Sequence, residues 1–198
     1  MTARSEIGDR RFREIIAALR AAPALSVQLR EKKTPDREVL RWGQTSRDLL
    51  GPDVPLYVSR RFDLALSVSA DGVHLPADGL PVRRVRAATP HGFRLGVSTH
   101  SPSEAREAIA GGADLVVIGP VFETPSKEPF GPPLSPDALK ALPRLKEHSA
   151  EVYAIGGIDD ETLPRVAAHR DRITGVAAIR WFQKASDPRE IAERIAAA

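Results

Sequence analysis

The chain has 198 residues, of which 42% are hydrophobic and 28% charged, enough for one sizeable core, and no linker or low-complexity stretch divides it, so a single domain over residues 1–198 is expected. It contains no cysteine, which excludes disulfides, zinc-thiolate sites and thiol nucleophiles. The formal charge is only +3, and the basic residues are scattered instead of forming a tract with interleaved aromatics; small anions suit this surface better than nucleic acid. No apolar run reaches the length of a membrane span, and the opening MTARSEIGDRR lacks the apolar heart of a signal peptide. A cytoplasmic protein without a membrane partner is expected.

In chain order, Asp9 to Ala22 places Phe12, Ile15, Ile16 and Leu19 at helical spacing ahead of Pro23. Leu25 to Leu29 reads as a short strand. Thr34 and Pro35 cap a helix carrying Val39, Leu40, Trp42, Leu49 and Leu50, and Pro55 to Ser59 is the next strand. A short helix over Arg61 to Ser69 precedes a strand at Gly72 to Leu75, stopped by Pro76. Leu80 to Ala88 reads as helix, Arg94 to Ser98 as strand, and Ser101 to Glu104 as a capping box. Ala113 to Ile118 is a continuous apolar, β-branched run between glycines, the pattern of a strand buried on both faces. Ser135 and Pro136 open a helix to about His148, Glu151 to Ile155 is strand, Asp159 to Ala168 helix, Gly175 to Ile179 strand, and Asp187 to Glu190 starts the last helix.

Roughly seven strands alternating with helices over short connections predict a parallel sheet. The even spacing and the lack of a dinucleotide fingerprint after an early strand favour a (β/α)8 barrel over an open sheet, with no organic cofactor. The chain opens with a helix where the first barrel strand belongs. That strand is either lost to truncation or a mis-assigned start, or poorly supplied by Met1 to Glu6.

In such barrels ligands meet the residues just past each strand. Those are Gln28, Arg30 and Lys32; Ser59 and Arg60; His74 and Asp78; Ser98 and His100; Thr124, Ser126 and Lys127; Gly156 and Gly157; Ile179 and Arg180. Cations outnumber carboxylates, and glycines let backbone amides approach an oxyanion, so the set suits small phosphorylated substrates. Plainer readings stand beside this one. Gln28 to Lys32 alternates like any strand running into solvent, Gly156-Gly157 could be only a tight turn, His74 lies inside a strand as a structural histidine would, and Trp42 and Trp181 read as packing anchors. His100, beyond a strand and near a helix start, is the candidate acid/base group. No His, Asp or Glu cluster has metal-ligand spacing.

Together, Gln28-Leu29-Arg30-Glu31-Lys32, Ala70 to Leu75, Gly96-Val97-Ser98, Gly119 to Thr124 and Ile155 to Ile158 resemble the thiamine phosphate synthase family and its thiazole tautomerase relatives, in order and register from about Pro23 onward. The resemblance implies a phosphate-binding TIM barrel, and dimers or larger assemblies. It implies a reaction in which an aminopyrimidine diphosphate ionises and the nitrogen of a thiazole phosphate captures the cation as diphosphate leaves with magnesium. Carried over by position, Gln28, Arg30 and Lys32 hold the diphosphate, with Ser98 and Lys127 completing the clamp. Thr124, Ser126, Gly157 and the amides near Ile179 and Arg180 hold the thiazole phosphate. The synthases carry Asn-Asp where this chain has Ser59-Arg60, and Gly-Gln-Glu-Asp where it has Pro76-Ala77-Asp78-Gly79. Both magnesium aspartates are thus replaced, and Asp78, one position out of register, is the remaining carboxylate that could serve. The tautomerase branch has a histidine at His100 and another at Pro120, so synthase features at Pro120, Ser126 and Lys127 coexist with tautomerase features at Ser59, Arg60, Leu75 and Pro76. A synthase-type transferase is the leading expectation, a His100 isomerase the second, and a silent binder of thiazole or thiamine phosphate the third.

Overall fold

The computed structural model describes residues 1–2, 4–31, 34–124 and 132–198, with the Ser5 side chain also left undescribed. Among these residues seven strands and eight α-helices occur, and the chain forms two compact units, Met1–His74 with Ile179–Ala197, and Leu75–Ala178 with Ala198. No helix among the described residues is long and apolar enough to cross a membrane.

In the first unit, β1 (Val27–Leu29), β2 (Leu56–Ser59) and β3 (Gly72–Leu75) run parallel in chain order, with Leu29 opposite Val58 and Ser59 opposite His74. The crossovers are α2 (Asp36–Leu50) and α3 (Phe62–Ser67), and α1 (Arg4–Leu19) packs against α2. The apolar stripe predicted for α1 is buried: Phe12 and Ile16 are each 1% exposed, and Phe12 meets the Trp42 ring edge-on at 5.1 Å. The guanidinium groups of Arg4, Arg13 and Arg41 lie 4.9 to 5.1 Å from the same indole, so Trp42 is the packing anchor its spacing suggested. The last helix of the chain, α8 (Pro188–Ala197), joins this unit through contacts with α1.

In the second unit, β4 (Arg94–Thr99), β5 (Leu115–Ile118), β6 (Glu151–Ile155) and β7 (Gly175–Ala177) are parallel and again in chain order; α4 (Val82–Arg86) leads into β4, α5 (Pro102–Ala110) joins β4 to β5, and α6 (Leu163–Ala167) joins β6 to β7. All four residues of β5 are buried, as a doubly covered strand requires.

One device recurs at the amino ends of the strands. Asp71 donates its N–H to the Leu56 carbonyl at 2.9 Å, and Leu56 donates back to the Asp71 carboxylate at 2.7 Å. Asp114 and Leu95 repeat the exchange at 2.8 and 2.7 Å, and Thr174 and Val152 repeat it at 2.6 and 3.0 Å with a hydroxyl as acceptor. Each clamp joins a strand to the residue just ahead of its successor, and Arg47 and Arg86 cover the two carboxylates. Strand register is thereby fixed from the end opposite the strand tips where ligands bind in barrels of this kind.

Several boundaries differ from the sequence expectation. The helix expected from Ser135 to His148 is instead two 3-10 turns, Pro136–Ala141 and Leu145–Glu147. Pro143 holds Leu142 extended at ψ 153°, since a residue before proline is driven out of the helical region. The strand expected through Ile179 ends at Ala177, and Arg180–Lys184 forms an unanticipated helix, α7. In the capping box, Ser101 accepts from the Glu104 N–H at 3.2 Å, but the Glu104 carboxylate reaches one residue further back, to the His100 N–H at 2.7 Å. Where a first strand was sought, Arg4 to Leu19 is helical with a break at Gly8, and among the described residues ahead of β1 it is Thr2 that bonds to that strand. Its N–H donates to Gln28 O at 2.8 Å and its hydroxyl accepts from Arg30 N–H at 3.0 Å. The bonding matches one bridge of a parallel ladder opposite Leu29, with a side-chain oxygen standing in for the carbonyl.

Candidate active site

In the first unit, the ends of β1, β2 and β3 place Gln28, Arg30, Ser59, Arg60 and His74 side by side. Gln28 is buried, and its amide donates to Ser59 Oγ at 2.7 Å. That bond uses an acceptor position of the hydroxyl, so the Ser59 hydrogen is directed onward. Arg30 follows β1 and is half-buried; burial lowers its pKa, opposed by Glu6, and the charge of Arg60 lowers it further. Its neighbour Glu31 is occupied structurally, accepting the Arg4 N–H at 2.7 Å at the start of α1. Arg60 follows β2 with φ +65°, in the left-handed region, and its N–H donates to the His74 carbonyl at 2.9 Å. His74 is 3% exposed, and burial, with the Arg30 charge adding to it, pushes its pKa down to about 3. It is therefore a neutral structural histidine, as its place within a strand suggested.

Ile179 and Arg180 also belong to this unit, at the opening of α7, where Ile179 is half-buried and Arg180 exposed. Lys32 lies outside the described residues.

In the second unit, β4 carries Ser98, half-buried, and is followed directly by His100, exposed. His100 Nδ1 lies 2.6 Å from the Gly119 carbonyl oxygen. A carbonyl can only accept, so Nδ1 holds the hydrogen, and the tautomer this selects for a neutral ring is the one that leaves Nε2 as the acceptor a general base needs. Beyond Ile118 the β5 chain continues to bond: Val121 N–H donates to Ile155 O at 2.8 Å and Phe122 N–H to Gly156 O at 3.0 Å. This close approach requires glycine. A Cβ on Gly119 would stand 2.1 Å from Ile155 O, and one on Gly157, whose φ is +64°, 2.5 Å from Glu123 O. The Gly156-Gly157 pair is thus packed against the chain from Pro120 to Glu123, just ahead of Thr124, while Ser126 and Lys127 fall outside the described residues. Below the turn, Thr162 and Asp159 exchange hydrogen bonds and Thr162 Oγ donates to Gly157 O at 2.9 Å.

Magnesium was the one metal the family pattern raised. Among the described residues no group of three His, Asp or Glu side chains could hold a metal ion, Asp78 sits on an exposed turn from Pro76 to Gly79, and the two positions at issue hold a guanidinium and a glycine. This donor set does not fit a hard divalent cation. Sequence reasoning missed Thr2 and Glu31 as the residues that seat Arg30 and the start of α1; neither has a local signal, because both act on chain distant in sequence.

The family model for thiamine monophosphate synthase matches residues 1–182. A provisionally named thiamine-phosphate synthase of Geobacter sulfurreducens is 36% identical over the whole chain and 91% of its own length. A thiamine-phosphate synthase of Gloeobacter violaceus is 40% identical over 88% of this chain, which spans 50% of that longer protein. The solved thiamine phosphate pyrophosphorylase of Pyrococcus furiosus superposes with a TM-score of 0.81 at 30% identity, covering 99% of this chain and 91% of that one. The expected fold class, a TIM-barrel-type α/β fold with an incomplete first strand, is the one shared with that structure. The motif matches from Gln28 to Ile158, the seven parallel strands and these relatives agree, and the chain belongs to the thiamine monophosphate synthase family.

Proposed function

We propose that the chain is a thiamine-phosphate synthase acting in the cytoplasm, joining an aminopyrimidine diphosphate to a thiazole phosphate with release of diphosphate. The observation that carries this reading is the cationic strand-end group of the first unit, Arg30 and Arg60 following strands joined by the part-buried Gln28–Ser59 hydrogen bond. In the reaction, the bond between the pyrimidine methylene carbon and the diphosphate oxygen breaks with both electrons leaving on oxygen, and the thiazole nitrogen lone pair forms the new C–N bond. No proton needs to move. The demand is for preorganised positive charge where the leaving oxygens gain charge, which Arg30 supplies from a half-buried position. The thiazole phosphate is assigned by family position to Thr124 and to backbone amides at Gly156-Gly157 in the second unit. Ser98, Lys32, Ser126 and Lys127 complete the assignment by family position. The test is diphosphate release from purified protein given each substrate alone and both together. Release that requires both supports the transferase, and none with both present refutes it.

His100 favours a second reading, proton transfer in a thiazole phosphate, because its Nδ1 donation to Gly119 leaves Nε2 as a base. Isomerase turnover that disappears in His100→Ala would select it over the transferase.

A further inference from the structure

We propose that the outward face of α2 is the surface through which two copies of this chain associate about a two-fold axis. Arg37, Leu40, Arg41, Gln44 and Asp48 of α2, with Ser67 of α3, line a groove of about 480 Å³ in the first unit. Steps of three and four residues make the α2 members one stripe, on the side of the helix away from the buried Val39, Trp42, Ser46 and Leu50. Leu40, at 39%, is one of three large apolar side chains that the described residues expose.

Two charges on this stripe stand against the physics of their own helix. A helix favours carboxylates in its first turn and cations in its last, and Asp36, Glu38 and Arg47 follow that rule. Arg37 in the first turn and Asp48 in the last reverse it. Their neighbours are matched, Asp36 by Arg61, Arg41 by Glu38 and Arg47 by Asp71. Among the described residues Arg37 and Asp48 have no ion pair; both are exposed, and Asp48 accepts the neutral Gln44 amide at 2.9 Å. The two charges are separated by about 16 Å along the axis, at about 1.5 Å per residue. A second α2 laid antiparallel across the stripe, with the two-fold at the middle of the helix, puts Arg37 of each copy opposite Asp48 of the other and brings the two Leu40 side chains towards the axis. One favourable contact is thereby made twice. Another copy is the occupant this pattern selects, because a partner of a single charge sign would satisfy one end of the stripe and be repelled by the other. A face of about 22 Å by 10 Å is well under the roughly 800 Å² per partner of a standard interface, so the association is weak and depends on concentration.

The experiment is sedimentation equilibrium of the full chain from micromolar to millimolar concentration, at low and at high salt. Wild type should dimerise as concentration rises, and less readily in salt. Arg37→Asp and Asp48→Arg each place two like-charge contacts in the homodimer and should raise its Kd at least tenfold. Both substitutions bring α2 into line with its own dipole, so neither should lower the melting temperature of the dilute chain. Mixed one to one, the two variants should associate as a heterodimer with the wild-type Kd, because both contacts then pair opposite charges again; a misfolded variant cannot give that result. A wild-type chain that stays monomeric throughout, a dimer that neither reversal weakens, or variants that do not recover on mixing overturns the proposal.

Discussion

Removing the Asp114 carboxylate tests whether the strand clamps set stability. In Asp114→Ala the Leu95 N–H, on a residue 0% exposed, loses a charged acceptor at 2.7 Å. A hydrogen bond to a charged group is worth about 1.5–3 kcal/mol, and an orphaned buried donor costs about 1–3 kcal/mol. These describe one loss from two sides and are not summed. The Arg86 ion pair is about a third exposed on both partners and adds at most about 1 kcal/mol. The expected destabilisation is therefore about 2–4 kcal/mol. Asp71→Ala should match it, because Leu56 is equally buried and its bond has the same length. Thr174→Val removes a neutral acceptor at 3.0 Å and should cost about 1 kcal/mol. Asp114→Asn keeps a carbonyl for Leu95 and loses the charge, so it should fall between. Equilibrium urea unfolding followed by circular dichroism and by tryptophan fluorescence reads this series. Both tryptophans, Trp42 and Trp181, lie in the first unit, so coincident transitions also report whether the units unfold together. An Asp114→Ala midpoint within about 0.5 kcal/mol of wild type, or Thr174→Val as damaging as Asp114→Ala, would refute the clamp argument.

Arg30→Ala should lower kcat/KM for the two-substrate reaction by about 2 kcal/mol, roughly thirtyfold, and an unchanged rate would remove this side chain from the chemistry. Lys127→Ala is expected to do likewise. For His74, the folded pKa of about 3 lies below the unfolded 6.5, so the unfolded chain takes up the proton first. Its contribution is complete above pH 6.5 and declines as pH falls towards 3, by on the order of 5 kcal/mol in all. His74→Gln should show a shallower loss of stability across that window, and parallel profiles for the two proteins would contradict the assignment. Gly157→Ala combines left-handed strain of about 1–2 kcal/mol with a clash at the Glu123 carbonyl, and should lower the melting temperature by several degrees. In nitrogen NMR at a pH where His100 is neutral, Nδ1 should carry the hydrogen; finding it on Nε2 would remove the carbonyl bond from the account.

What could be read from residues alone followed the physics of local signals. The β-branched run at Leu115 to Ile118 has one reasonable outcome in a parallel sheet, and the helical spacing of Phe12, Ile16 and Leu19 has another. The family resemblance rested on strand-end residues whose chemistry does not depend on where helices stop. The misses have long-range or cooperative causes. Gly175 to Ile179 looks like one apolar strand, yet the ladder ends at Ala177 and the chain turns into α7. Pro143 should have divided the segment after Ser135, because proline acts on the residue before it. Thr2 carries no signal at all: a hydroxyl completing a strand's bonding shows itself only when Arg30, twenty-eight positions away, is brought alongside. The site divided in the same way, since Gln28 and Ser59 were each legible but their hydrogen bond was not.

The three glycines at 119, 156 and 157 bear on how relatives of this protein can diversify. Where main chains pass so closely, the root of the loop after β5 is fixed by amide bonding at Val121 and Phe122, independent of the side chains beyond it. Saturation libraries should find those glycine positions nearly invariant while Glu123 and Thr124 accept substitution, and deuterium should enter the Val121 and Phe122 amides slowly. A segment rooted in this way can change what it touches without disturbing the strands that carry it.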